Sequence, residues 1–394
     1  MSKPPFVEVD FYQKFKEKQL VGGDTFLSRR CRDELRTISV LSDGLGSGVK
    51  ANVLSTLTST MALNYITNHF DIEKTAQVIM KTLPVCKTRK ISYSTFSIVD
   101  IDESMHTRIV EYDNPPFVLI RDNAVLQIPK STVKLGVRES KTDYLHFSDF
   151  QARQGDCIIL FSDGVTQSGM GSKMYPLGWG DDAARDYILR LFMDGQNLSA
   201  RSLSREIVQQ AFANDQYIAR DDITCGVIYV REPRELLVMT GPPIDKHKDH
   251  ELARIVDDFT GKKVICGGTT AGIVSRELGR KIVVDITDIN PTVPPVSNMD
   301  GVDLITEGTI TMGKVIEFLE SGKLPNPQKP NGAMRMVDLL LNSDIIHFVV
   351  GTKINDAHQD PNVPVELEIR RNIIKRIRNL LENKYLKETR LQFI

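Results

Sequence analysis

The stretch that decides the fold is "LSDGLGSGVK", residues 41–50. An apolar run, "RTISVLSD", stops at Asp43, three glycines follow within five residues, and then Val53, Leu54, Leu57, Met61 and Tyr65 recur at helical spacing. A strand, a glycine bend and a helix in that order hold one carboxylate where the chain turns. Asp71 reads as the N-cap of a second helix running through Leu83. Beyond it, "YSTFSIVDID", "TRIVEYDN" and "PFVLIRDNAVLQIP" are β-rich and punctuated by "DNPP" and "RDN", which predicts antiparallel strands and hairpins. "GDCIILFSDG" is another buried strand ending at an aspartate. Helices are expected at "ARDYILRLFM" and "ARSLSREIVQQAFA", and "DDITCGVIYV" closes this part as a strand.

At "REPRE", residues 231–235, the composition changes. Strands "LLVMTG", "KKVICGG", "KIVVDI", "VDLITEG" and "IIHFVVG" now alternate with helices "DHELARIVDDF", "AGIVSREL", "TMGKVIEFLE", "AMRMVDLLLNS" and "VELEIRRNIIKRIRNLLENKYL". Such alternation predicts an α/β domain with a mainly parallel sheet. The expected domains are therefore 1–231 and 236–394, and 394 residues are enough for two cores. The 41% hydrophobic and 26% charged composition is that of a folded globular chain. Fifty basic against 51 acidic residues give a formal charge of -1, so no global field favours nucleic acid or an anionic membrane. Cys31, Cys86, Cys157, Cys225 and Cys266 are odd in number, widely spaced and without a CxxC pair. They read as reduced structural thiols, against both a disulfide framework and a zinc site. The start lacks a signal-peptide core and no 18 uncharged apolar residues run together, so the expected location is cytoplasmic.

Four segments of the first domain place aspartate where the chain turns: "VGGDTF" (Asp24), "LSDGLGSG" (Asp43), "FSDGVTQSG" (Asp163) and "ARDDITCG" (Asp221, Asp222). Any one of them is an ordinary solvated turn. Brought together, they would repel, and the usual resolutions are protonation or a bound divalent cation. Hard oxygen donors without a nearby His or Cys pair suit Mg²⁺ or Mn²⁺ rather than Zn²⁺.

The order Gly-Asp, "SDGLGSG" entering a helix, "GDCIILFSDGVTQS" and "DDIT" resembles the metal-dependent (type 2C, PPM) Ser/Thr protein phosphatases, within them the bacterial SpoIIE/RsbU-like branch. "EYDNPPFVLI" also sits where that branch carries a Pro-Pro pair before a strand, and the likeness spans about residues 10–231. The resemblance implies an αββα sandwich with the metals at one end of its sheets. It matches Asp43 to the metal-bridging aspartate, Gly44 to the glycine whose carbonyl helps hold one ion, and Asp24, Asp163 and Asp221 to the remaining carboxylate ligands. Asp43, Asp163 and Asp221 are thereby the implied catalytic residues, with Asp222 just outside the ligand set. Two ions about 3.5 to 4 Å apart would lower the pKa of a bridging water, and that hydroxide would attack phosphorus in line. No cysteine opens a CxxxxxR loop of the cysteine phosphatases.

The resemblance further implies a phosphorylated protein substrate, with an anti-anti-sigma-like (STAS) protein as the candidate, while the balanced charge argues against a nucleic-acid or membrane partner. The alternative is a catalytically weak phosphatase-fold sensor or scaffold whose C-terminal domain binds a small ligand. Gln167 departs from the glutamate that relatives often carry after SDGVT, and no phosphate-binding arginine is evident. Arg29, Arg30 and Arg32 lie near Asp24 but read as a basic turn, and "SGMGSK" (168–173) reads as a flap or a loop.

The second domain resembles no named family. In "KKVICGGTTAGIVSREL" a small-residue loop joins a strand to a helix, as a phosphate cradle or as a tight turn that needs glycine. His247 and His250 stand i, i+3 and would suit a metal if helical, but they read first as a solvated helix start. Ile369, Ile373, Ile377 and Leu381 stripe the last helix, with Arg370, Arg371, Lys375, Arg376 and Arg378 around it. Docking on its own domain, or a partner or homodimer surface, would use that stripe.

Overall fold

The computed structural model describes residues 4–31, 33–83, 94–135, 143–195, 198–285, 294–322, 330–353 and 364–394; Arg32 and Cys86 lie outside them. The chain divides into two compact units, Ser2–Glu232 and Pro233–Ile394.

The first unit runs β1 (Phe6–Lys14), β2 (Asp24–Cys31), β3 (Arg36–Gly44), α1 (Gly48–Thr67), α2 (Ile72–Thr82), β4 (Ser94–Ile101), β5 (His106–Tyr112), β6 (Val118–Arg121), β7 (Ala124–Leu126), β8 (Ser131–Leu135), β9 (Asp143–Gln151), β10 (Cys157–Phe161), α3 (Asp163–Thr166), α4 (Asp181–Asp194), α5 (Ala200–Asn214) and β11 (Ile223–Arg231). Its strands form two antiparallel sheets, ordered β1-β11-β10-β6-β7 and β2-β3-β4-β5-β9-β8. On the outer face of the first, Val118, Ile159, Phe161 and Val227 pack with Ile188 of α4 and Ile207 of α5. On the outer face of the second, Ile38, Val40, Phe96 and Ile98 pack with Ala62 and Ile66 of α1 and Ile79 of α2. The inner faces meet where Gly226 lies under Phe26: a Cβ on Gly226 would stand 2.1 Å from the Phe26 ring. This is the expected αββα sandwich.

Local chemistry explains the boundaries. The Asp71 side chain accepts from the Lys74 N–H at 3.0 Å and starts α2. Ser199 and Ser202 form a reciprocal capping box at α5. The β6–β7 hairpin turns on Asp122 and Asn123 at φ 51° and 58°, the left-handed backbone these two residue types tolerate. The expected apolar stripe of α1 is not its buried face: Val53 is 57% and Leu57 44% exposed, while Ala51, Ser55, Ser59, Ala62 and Ile66 are buried. Small residues let this helix lie close on β2 and β3, and the short side chains, rather than the apolar ones, decide which face turns inward.

The second unit runs β12 (Glu235–Thr240), α6 (Asp249–Asp258), β13 (Lys262–Cys266), α7 (Gly268–Leu278), β14 (Val283–Val284), β15 (Ser297–Met299), β16 (Val302–Thr306), α8 (Thr309–Ser321), α9 (Gly332–Leu341), β17 (Ile345–Val350), α10 (Pro364–Asn383) and β18 (Glu388–Phe393). Its sheet is ordered β14-β15-β16-β13-β12-β17-β18, parallel from β16 to β18 with an antiparallel edge at β14 and β15. One face carries α6 and α7 over Leu237, Met239, Ile265 and Ile305; the other carries α8, α9 and α10 over Leu236, Val238, Val264 and Phe348. The final helix is docked on its own domain through Ile377 and Leu381, both fully buried, and Arg376 reaches Glu320 at 2.6 Å. Ile369 of its stripe stays 43% exposed. The sequence-based reading ended the domain on this helix and missed β18, a short strand whose residues are half-buried or exposed. No helix among the described residues is long and apolar enough to cross a membrane.

Candidate metal centre

Antiparallel pairing sets Asp24, the first residue of β2, directly opposite Asp43, the second-last of β3. Asp163 opens the single-turn α3 immediately after β10, and Asp221 and Asp222 stand just before β11. Because β10 and β11 are neighbours, both chain turns fall at one end of that sheet. Asp43 lies within electrostatic reach of both Asp24 and Asp163.

The charges show how unfavourable this cluster is without a counter-ion. Burial, then the charges of Asp24, Asp163 and Asp221, pushes the Asp43 carboxyl well above the usual carboxylate range. Burial pushes Asp24 up to about 7, reinforced by Asp222 and Asp163 although the Thr224 hydroxyl pulls it down. Asp163 is raised by burial and by Asp221. Two carboxylates about 4 Å apart repel by about 4 kcal/mol at an effective dielectric of about 20. That is roughly three pKa units, in the direction that favours the protonated form of one partner.

Among the described residues no three His, Cys, Asp or Glu side chains already stand at the spacing of an ion cage. The carboxylates instead raise one another's pKa, as acids brought together do when no cation offsets them. The donors are all hard oxygens, with no imidazole or thiol among them, so the set fits Mg²⁺ or Mn²⁺ with water completing the coordination.

The surroundings hold this arrangement. Asp222 accepts from the N–H of Gly23 at 2.6 Å and of Lys16 at 2.9 Å, so it anchors the chain entering β2. Thr224 donates its hydroxyl to Asp24 Oδ2 at 2.6 Å. Gln167 donates to Asp163 Oδ2 at 2.7 Å, which orients that carboxylate from outside the cluster. Lys16 Nζ lies 3.5 Å from Asp221 Oδ1. The sequence reading missed Thr224 and Lys16; the signal for Thr224 is its place two residues after Asp222, on the same face of the strand. Gly44 is required by packing: a Cβ there would stand 2.1 Å from the Ala51 carbonyl oxygen of α1. Gly164 is equally constrained, its Cβ 2.0 Å from the Asp222 carbonyl oxygen.

Other sequence candidates lie elsewhere. Arg29 is exposed, and Arg30 stacks on Phe6 and donates to the Val7 carbonyl. The "SGMGSK" loop is tied down, Gly169 N–H donating to Asp215 at 2.7 Å and Arg220 donating to the Met170 carbonyl. His250 pairs with Glu277 at 3.9 Å, while the His247 N–H serves a local turn on Asp245. Cys157, Cys225 and Cys266 are buried, and burial raises each thiol, Cys266 to about 12, which rules them out as thiolate nucleophiles.

The family model for Stage II sporulation protein E (SpoIIE) matches residues 33–231, a span that holds Asp43, Asp163 and Asp221 and begins after Asp24. Among solved structures, the SpoIIE phosphatase domain of Bacillus subtilis is similar at 18% identity and TM-score 0.44, covering 58% of this chain and 93% of that one. A second structure of that domain, with a fragment of its regulatory domain, gives 19% identity and TM-score 0.48 over 58% and 64%. RsbX in complex with magnesium gives 20% identity and TM-score 0.41 over 58% and 98%. No curated protein matches the sequence.

Proposed function

The chain belongs to the SpoIIE family through residues 33–231, and on that premise we propose that it is a divalent-metal-dependent phosphatase acting on phosphoserine or phosphothreonine in a bacterial signalling protein of the cytoplasm. The observation that carries the reading is the meeting of Asp24, Asp43 and Asp163 in one cluster, where burial and mutual repulsion raise each carboxyl above the usual carboxylate range. Such a cluster is costly to keep, and a phosphoryl-transfer centre is a use that repays it.

Two Mg²⁺ or Mn²⁺ ions, held by Asp24, Asp43, Asp163, Asp221 and the carbonyl of Gly44, would supply an acidified water and the positive field that phosphoryl transfer requires. The chain's own part is positioning. Asp43, between Asp24 and Asp163, is placed to serve both sides of the cluster. Gln167 fixes the rotamer of Asp163, Thr224 fixes that of Asp24, and Asp222 keeps the backbone before β2 against the end of β11. No side chain is proposed as nucleophile, because the described thiols are buried or raised. An anti-anti-sigma-like (STAS) phosphoprotein is the candidate substrate.

The test is release of phosphate from a phosphoserine peptide with Mn²⁺, with Mg²⁺ and with EDTA. The reading expects turnover with either metal and none in chelator; vanadate-sensitive turnover that persists in EDTA would reject it.

A further inference from the structure

In its own order the second unit's parallel strands run β16-β13-β12-β17-β18, that is 3-2-1-4-5, with the reversal between β12 and β17. Ligands of open α/β sheets bind beyond the carboxyl ends of the strands near such a reversal. Here the gap at the reversal is closed by the chain itself. Gly351 N–H donates to the Thr240 carbonyl at 2.8 Å, Lys353 N–H to the Pro242 carbonyl at 3.0 Å, and Arg370 to the Gly351 carbonyl at 3.2 Å. One strand further along stand β13 and β16.

There, two strand-to-helix turns stand side by side: Cys266-Gly267-Gly268 leads into α7 and Thr306-Glu307-Gly308 into α8. They are joined by the Gly267 N–H donating to the Thr306 carbonyl at 2.9 Å, and a Cβ on Gly308 would lie 3.8 Å from Gly267 Cα. Both helices have a glycine N-cap, neither start receives a side-chain cap, and neither carries an acid in its first turn. The amides of two adjacent helix starts are thus left without side-chain acceptors. None of the described residues lies within 4 Å of where a Cβ on Gly268 would be.

Two side chains point to an occupant. Thr311, in the first turn of α8, is 0% exposed and its Oγ1 has no hydrogen-bond partner. Cα–Cβ bonds in a helix tilt toward its N-terminus, so the Thr311 side chain leans toward the uncapped start of α8. Glu307 Oε2, in the same turn, is also buried without a partner. Orphaned amides and a hydroxyl donor call for an anion; an orphaned carboxylate beside them calls for hydroxyl donors. A phosphate ester of a sugar diol offers both.

We infer that this crevice binds a ribonucleotide, its phosphate on the Gly267–Thr270 turn and the start of α8, its ribose hydroxyls donating to Glu307. The adjacent-strand arrangement, phosphate at the first βα turn of a βαβ unit and acid at the end of the next parallel strand, is the geometry that separates these two groups of one nucleotide. This inference stands apart from the phosphatase reading, since it concerns neither the carboxylate cluster nor turnover.

The experiment is calorimetry on the full chain in EDTA, which keeps divalent ions out of the carboxylate cluster, with ADP, GDP, CDP and UDP, ribose 5-phosphate and inorganic phosphate as separate titrants. At least one nucleoside diphosphate should bind saturably in the micromolar to millimolar range. Gly268→Asp puts a carboxylate in open space without a clash and should weaken that binding about tenfold or more while leaving thermal stability unchanged or higher. Glu307→Gln should weaken the nucleotide by about tenfold and leave any binding of inorganic phosphate as it was. The assignment is overturned by no heat with any diphosphate, by wild-type affinity in both variants, or by ribose 5-phosphate or inorganic phosphate binding as tightly as every nucleotide.

Discussion

At the scale of single residues, the account rests on carboxylates that are held together against their own repulsion. Asp43→Asn and Asp163→Asn should each lower metal-dependent turnover by about a thousandfold or more. Neither should lower the thermal midpoint in EDTA, because each removes a charge that the metal-free cluster must neutralise. Gln167→Ala removes only an orienting hydrogen bond and should cost about tenfold in activity or less, with metal affinity reduced. Asp24 gives a pH signature. Its folded value of about 7 lies above the ordinary 3.8, so the folded chain retains a proton that the unfolded chain has released between those values. The stabilisation is fully present below about pH 4 and is lost as pH rises through 7. Thermal midpoints in EDTA should therefore fall from pH 5 to pH 8 more steeply in the wild type than in Asp24→Asn, and Mn²⁺ should restore stability at pH 8. Equal slopes in the two proteins would show that Asp24 is not protonated in the fold. Asp24, Asp43 and Asp163 stood out as candidates because each lies at a chain turn beside a glycine, and Asp221 because it stands just before a strand. What fixes them did not stand out: Thr224 and Lys16 are joined to Asp24 and Asp221 across about 200 residues, and no local pattern records that.

At the scale of elements, glycine positions report how closely β3, α1 and β11 approach. Gly44→Ala sets a Cβ 2.1 Å from the backbone oxygen of Ala51, where neither strand nor helix can yield. It should cost about 3 kcal/mol in urea unfolding, at the upper end of overpacking. Gly226→Ala meets the Phe26 ring at the same 2.1 Å, but a side chain can turn aside, so its cost should be smaller. A larger loss at Gly226 than at Gly44 would mean that the sheets, rather than α1 and β3, form the tighter contact. The sequence predicted α1 as a helix and misjudged its face. Helical spacing counts apolar residues, whereas this helix turns Ala51, Ser55 and Ser59 inward because small side chains permit close approach to the strands that carry Asp24 and Asp43. The apolar residues left outside, Val49, Val53 and Leu57, are the consequence.

At the scale of the molecule, two units with separate cores share one chain, and the matched aspartates all lie in the first. Expressed separately, residues 2–232 and 233–394 should each fold, and the first should keep its metal-dependent turnover; aggregation of either half would show that the cores depend on one another. The α/β architecture of the second unit was legible from the alternation of strand and helix, since hydrophobic period and turn residues are local, whereas the sandwich of the first was implied by the resemblance that its aspartate motifs carry. Strand order was not legible: β18 is an exposed edge strand with a polar face, and the place of β12 in the middle of the sheet follows from pairings between residues about 100 apart. The central claim is that the buried carboxylates are a metal centre for phosphoryl transfer. It is tested most directly by p-nitrophenyl phosphate hydrolysis by the full chain in EDTA and after Mn²⁺ is added back, beside Asp43→Asn under the same conditions. The account predicts no hydrolysis in EDTA, recovery with Mn²⁺ in the wild type and none in Asp43→Asn; hydrolysis by Asp43→Asn at the wild-type rate, or wild-type hydrolysis indifferent to EDTA, would contradict it.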